Sequence, residues 1–170
     1  GGTFYCLESD LSISSTMGPY FITNGLAFSP DGRRMYFSDS KPHIRTIWWC
    51  DYDLETGKVH SPQVFFDTNS VAGRPDGGTV DADGCYWMAG VGGWQLYRIT
   101  PDGKIDMTID VPVERPTKAV FGGKDMDTLF VTSAFDGITA GSQATPPDAG
   151  GLFAITGLGV QGVAPARFAG

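Results

Sequence analysis

Two oxygen-bearing side chains stand at matching places in a phrase that this 170-residue chain carries twice. Asn24 lies at the start of "TNGLAFSPDGRRMYFSDS" and Asp76 at the start of "RPDGGTVDADGCYWMAG". Each phrase runs from a polar residue through Gly and a few apolar residues to a D-G turn, then into an apolar strand. Carboxamide and carboxylate oxygens are hard ligands. Converging on one point, they suit a divalent cation such as Ca²⁺, Mg²⁺ or Mn²⁺. The same residues have a plainer use. N-G and D-G are common turn dipeptides, and an Asn or Asp ahead of a strand often only caps a turn. Spacing alone leaves both readings open.

The elements that would position these residues are strands. No long stretch places apolar residues at i, i+3, i+4 and i+7, so helices are not expected. Short β-rich runs punctuated by Gly and Pro recur instead. The first group is "GLAF", "MYFS", "TIWWCDYD" and "VFFD", over about residues 24–67. The second, about 76–110, is "GGTV", "CYWMAG", "QLYRIT" and "KIDMTID". The third is "KAVFG", "TLFVTSA" and "GGLFAIT", with a last piece near "VAPARFAG". Ahead of them, "GTFYCLE" and "LSISST" read as the last two strands of an earlier group. Residues 134–151 read as a long loop within the last group.

Aligned on their first strands, the groups bring Asn24, Asp76 and Thr117 to one register, 52 and 41 residues apart. A four-strand unit recurring about every 40–50 residues is the mark of a β-propeller blade. The fold expected is therefore all-β, a β-propeller. The first strand of a blade lines the central channel, so Asn24 and Asp76 would share one mouth of it. By this count residues 1–170 hold roughly three and a half blades. An open arc of that kind leaves sheet edges and apolar faces uncovered. The chain is thus expected to be a single partial propeller, the C-terminal part of a larger ring whose N-terminal blades lie outside it.

Bulk composition narrows the function classes. The chain is 41% apolar, enough for one domain with a real core. Its net charge of −7 argues against nucleic acid as a partner. No apolar run approaches the roughly 20 residues of a membrane helix. Cys6, Cys50 and Cys85, odd in number and widely spaced, read as reduced thiols of a cytoplasmic protein. A zinc cluster is not expected, since no C-x-x-C occurs and His43 and His60 neighbour neither each other nor a Cys. No G-x-S-x-G is present, which argues against an α/β-hydrolase.

Together, "TNGLAFSPDGRRMYFSDS", "RPDGGTVDADGCYWMAG", "FGGKDMDTLFVTSA" and "AGGLFAITGLGVQGVAPARFAG" resemble the SMP-30/gluconolactonase/regucalcin family over essentially the whole chain. The resemblance implies a six-bladed propeller, of which this chain would be the C-terminal half. It further implies a lactonase with one divalent metal ion (calcium, zinc, manganese or magnesium) at the channel mouth, acting on a sugar lactone. The family's Asn ligand, in N-G-L, falls on Asn24, and its Asp ligand, in P-D-G, on Asp76. The same Asp is implied as general base. The family's Glu ligand, and an Arg and an Asn that hold substrate hydroxyls, have no counterpart in this chain. Two rival readings are a regucalcin-like calcium-binding protein without catalysis and a non-catalytic propeller scaffold.

The remaining polar and aromatic residues read more simply. His43 is expected at a surface or rim loop, and His60 exposed at a turn. Arg33 and Arg34 follow a turn and read as solvated. Asp81 and Asp83 flank "DADG" and read as turn residues. Trp48 and Trp49, adjacent in a strand, should face opposite sides, one of them between blades. "GVGGW" is a Gly-rich bend with no helix after it, so it is not a phosphate loop. Ser133 and Asp136 lie near a strand end that could approach the channel.

Overall fold

A computed structural model describes residues 1–135 and 147–167, and Asp136 and most of the 134–151 loop fall outside that set. Among the described residues helix is limited to one 3₁₀ turn, Thr68–Ser70, and strands account for the rest of the regular structure. Gly2–Leu7 (β1) pairs with Ile13–Tyr20 (β2). Thr23–Phe28 (β3), Arg34–Asp39 (β4), Thr46–Tyr52 (β5) and Val59–Asp67 (β6) form one antiparallel sheet in chain order. Arg74–Val80 (β7), Tyr86–Val91 (β8), Gln95–Ile99 (β9) and Ile105–Asp110 (β10) form a second. Pro116–Gly122 (β11), Thr128–Ser133 (β12) and Leu152–Ile155 (β13) form a third, of three strands.

The turns follow from local chemistry. In "SPDG" the Asp31 carboxylate accepts from the Arg33 N–H at 3.1 Å, and Gly32 takes the left-handed φ of 71° that closes the hairpin. Ser29 Oγ accepts from the Arg34 N–H at 2.9 Å; in "TPDG", Thr100 Oγ1 accepts from the Lys104 N–H at 3.1 Å. One turn grammar thus serves both sheets.

Three apolar clusters lie between neighbouring sheets. Met35, Phe37 and Cys50 meet Phe4, Met17 and Tyr20 from the β1–β2 pair. Tyr36 and Ile47 meet Tyr86, Met88, Tyr97 and Ile99. Trp87, Ala89 and Leu96 meet Ala119, Phe121, Leu129 and Val131. Adjacent residues of one strand therefore serve different clusters, as period-two alternation requires. β8, "YWMAGV", is buried at every position, which fits a strand covered on both faces. Each fully buried apolar side chain, such as Phe37 or Leu96, contributes about 1.5–3 kcal/mol.

Four expectations need correction. Trp48 and Trp49 do face opposite sides, but both pack between sheets. Trp48 stacks on Phe37 (ring centroids 5.5 Å apart, 15° between planes), and Trp49 joins the next cluster. Arg34 is not simply solvated, since its guanidinium lies 4.2 Å from the centroid of the Trp49 ring. "VAPARFAG" does not supply a fourth strand to the last sheet in its described part. The segment before it crosses back, with Gly162 bridging Asp81 and the Ala82 N–H donating to Gln161 O at 2.8 Å. Finally, Asp81 is more than a turn residue. It is fully buried and holds the Arg98 guanidinium through Nε at 2.7 Å.

Candidate metal and substrate site

The first strands β3, β7 and β11 lie side by side, and the closeness of their backbones sets the level of the site. A Cβ placed on Gly25 would stand 3.3 Å from Asp76 O, and one on Gly77 would stand 2.7 Å from Thr117 O. Asn24, Asp76 and Thr117 therefore share one level on three successive inner strands, as their register predicted.

Each inner strand also carries one extra residue at that level. β3 advances three residues from Asn24 to Ala27 while β4 advances two. β7 does the same from Pro75 to Gly78 against β8, and β11 gains one between Pro116 and Lys118 against β12. Such bulges twist a strand locally and re-aim side chains. Gly25 supplies the positive φ, 65°, that the β3 bulge needs. No other residue would fit, because a Cβ there would come within 2.4 Å of Tyr86 Oη. That hydroxyl donates to Gly25 O at 2.8 Å and ties the β3 bulge to β8. Tyr86→Phe leaves this buried carbonyl without its donor. It is expected to cost about 1–3 kcal/mol in chemical denaturation, with no change in secondary structure by circular dichroism.

Asn24 and Asp76 are joined through Ser40, which sequence reading missed. The Asn24 carboxamide nitrogen donates to Ser40 Oγ at 2.9 Å, and Ser40 Oγ donates to Pro75 O, the residue before Asp76. This chain of two bonds fixes the carboxamide nitrogen and so leaves Oδ1 as the Asn24 atom available for coordination. Thr117 contributes less, since its hydroxyl is engaged with Thr132 Oγ1 at 2.8 Å. At this level Asn24 carries a carboxamide oxygen and Asp76 a carboxylate, donor types that suit a hard cation such as Ca²⁺, Mg²⁺ or Mn²⁺. No group of three or more His, Cys, Asp or Glu forms a metal-ligand cluster among the described residues.

Three cations face the Asp76 carboxylate: Arg74, Arg115 and Lys118. Burial is the larger influence and raises the Asp76 pKa above the ordinary carboxylate value against the pull of all three. Burial likewise lowers the Lys118 pKa, and Asp76 offsets part of that shift. Lys118 Nζ donates to Gly78 O and lines a larger apolar cavity of about 570 Å³ with Leu26, Val80 and Val120. A smaller polar cavity of about 310 Å³ is lined by Arg45, Gly73, Arg74, Val91, Gly92, Glu114 and Arg115. Its lining includes Gly73 and Arg74, just before Asp76, whereas the larger cavity is lined by Gly78 and Lys118, on the other side of Asp76 in sequence.

A signal for the two arginines was present in the sequence. Arg74-Pro75 and Arg115-Pro116 repeat at the same 41-residue interval as Asp76 and Thr117. Other candidates lie elsewhere. His43 is exposed on a loop, edge-on to Phe21, and His60 is exposed on the outer strand β6. Ser133 donates to Gly151 O at 2.9 Å.

A family model described as the SMP-30/gluconolactonase/LRE-like region matches residues 1–135. The chain belongs to the SMP-30/gluconolactonase/LRE-like family. Within it, regucalcin of Gallus gallus is 37% identical over 170 residues, covering 99% of this chain and 56% of that protein. The crystal structure of a calcium-binding protein, regucalcin, from Agrobacterium tumefaciens superposes with a TM-score of 0.85 at 28% identity. It covers 95% of this chain and 54% of the other. A gluconolactonase structure from Xanthomonas campestris matches with a TM-score of 0.65 at 25% identity, over 76% of this chain and 40% of that one. The chain thus spans about half the length of the family relatives it matches. Its all-β fold is that of these SMP-30/regucalcin-type propellers, so the neighbouring sheets are blades and β3, β7 and β11 their innermost strands.

Proposed function

We propose that the full-length protein is a metal-dependent hydrolase that opens sugar lactones, with gluconolactone as the reference substrate. The observation that supports this reading is the Asn24–Ser40–Pro75 hydrogen-bond chain, which ties the Asn24 carboxamide to the backbone of the residue before Asp76. The gluconolactonase name of the Xanthomonas relative supports the substrate class.

In this mechanism Asn24 Oδ1 and the Asp76 carboxylate would hold a divalent cation. When bound, the cation supplies Lewis acidity to the lactone carbonyl and stabilises the oxyanion. Asp76 takes a proton from the attacking water. The water oxygen bonds to the carbonyl carbon, the ring C–O bond breaks, and the ring oxygen leaves as a hydroxyl. The product is an open-chain hydroxy acid. A cytoplasmic location belongs to the same proposal, supported by three free cysteines. No helix among the described residues is long and apolar enough to cross a membrane.

Hydrolysis of glucono-1,5-lactone is expected to require divalent metal, to fall to the uncatalysed rate with chelator, and to return when Ca²⁺, Mn²⁺, Mg²⁺ or Zn²⁺ is added. A second reading, calcium binding without catalysis, is favoured by the description of the Agrobacterium relative as calcium-binding. Calcium binding by calorimetry with no lactone turnover for any of these ions would decide for that reading.

A further inference from the structure

Beyond opening a lactone, the arginine pair beside Asp76 has the makings of an anion subsite. The chain as a whole carries a net charge of −7, yet the small polar cavity is lined by Arg45, Arg74 and Arg115 against a single carboxylate, Glu114. Among the described residues lining this cavity, arginines outnumber carboxylates. Arg74 opens β7 and Arg115 directly precedes β11, each before a proline and each within electrostatic reach of the Asp76 carboxylate. Both therefore flank the point at which the lactone would react.

The surroundings hold this arrangement still. Arg45 donates through one nitrogen to Thr68 O at 2.7 Å, Val71 O at 2.9 Å and Gly73 O, which pins the loop that delivers Arg74. The Glu114 backbone carbonyl accepts from the Gly92 N–H at 3.0 Å and the Trp94 N–H at 3.2 Å, fixing the opposite wall. Arg74 itself makes a long contact, 3.5 Å, to Ser40 O through one nitrogen, so the rest of its donor fork is not consumed by that bond. A guanidinium fork matches carboxylate or phosphate oxygens two at a time. A neutral sugar lactone offers hydroxyl and carbonyl oxygens, which accept from such a fork singly and without charge assistance.

We propose that Arg74 and Arg115 form a specificity subsite for an anionic group, carboxylate or phosphate, carried by the sugar-acid substrate at the end distal to its lactone carbonyl. The proposal rests on the lactonase reading for the substrate's identity as a sugar acid. The subsite itself is a binding property and is measured separately from turnover.

The test is calorimetric binding of three open-chain acids to the full-length protein with Ca²⁺ present. Gluconate, glucarate and 6-phosphogluconate differ only at C6. Glucarate or 6-phosphogluconate is expected to bind roughly tenfold or more tightly than gluconate, and whichever does so names the anion. Arg74→Gln is expected to erase that preference, and Arg74→Lys to restore part of it. Equal binding of all three acids overturns the subsite. So does an Arg74→Gln protein that weakens all three by the same factor. Turnover of glucono-1,5-lactone is measured in parallel. Turnover without an anion preference sinks the subsite and spares the lactonase reading. An Arg74-dependent preference without turnover does the opposite.

Discussion

Asp76→Asn is expected to lower kcat/KM for a sugar lactone by about 10³-fold or more in the full-length protein. The size follows from the two roles that meet in one carboxylate. A positioned general base is worth roughly 10²–10⁴ in rate, and loss of the charged ligand weakens the cation as well. Asn keeps the volume and one oxygen donor, so the substitution isolates charge and basicity from shape. Stability gives the control. Burial raises the Asp76 pKa, so in metal-free protein the ionised form is disfavoured by the fold. A carboxylate whose folded pKa lies above its unfolded value loses stability as pH rises from the unfolded value through the folded one. At neutral pH in chelator, Asp76→Asn should therefore melt no lower than the parent. Activity lost with Tm kept is the expected pair. Unchanged turnover would remove Asp76 from the chemistry.

The level of this site was legible in the sequence, and its detailed geometry was not. The repeated phrase put Asn24, Asp76 and Thr117 in register because each inner strand starts at the same point of a blade, and the three backbones do lie side by side. The bulge at that level was hidden, since one extra residue in a pairing register depends on the partner strand. Ser40 was invisible for a similar reason. It lies just past the end of β4 and acts across sheets on Pro75. Arg74 and Arg115 were legible but unread, because their R-P pair repeats on only two of the three inner strands. Blade-to-blade packing was underestimated at Trp48 and Trp49, where alternation gave the faces but not what would cover them. Turn residues were judged by local spacing alone, and that is where Asp81 escaped notice.

Asp81→Asn is expected to destabilise the protein by about 3 kcal/mol. The carboxylate is fully buried and completely used. One oxygen accepts from the Asp83 N–H at 3.0 Å and the Cys85 N–H at 2.9 Å. The other accepts from Trp87 Nε1 at 2.8 Å and Arg98 Nε at 2.7 Å. An amide must turn an NH₂ toward one of these pairs, where only donors wait. Breaking a buried ion pair costs about 3–5 kcal/mol. The lower end applies here, because Arg98 keeps Asp83 at 2.8 Å and Asp106 at 2.6 Å. For a chain of this size about 3 kcal/mol corresponds to a Tm roughly 6–12 °C lower. Asp83→Asn is the matched comparison. Its carboxylate touches the same guanidinium, but its side chain is 69% exposed, and such pairs are worth about 0–1 kcal/mol. Equal losses for the two variants would mean that Asp81 acts only as a turn residue. A loss confined to Asp81 would show that its burial, at the point where Gly162 crosses back onto the strand end, makes it a structural anchor of the fold.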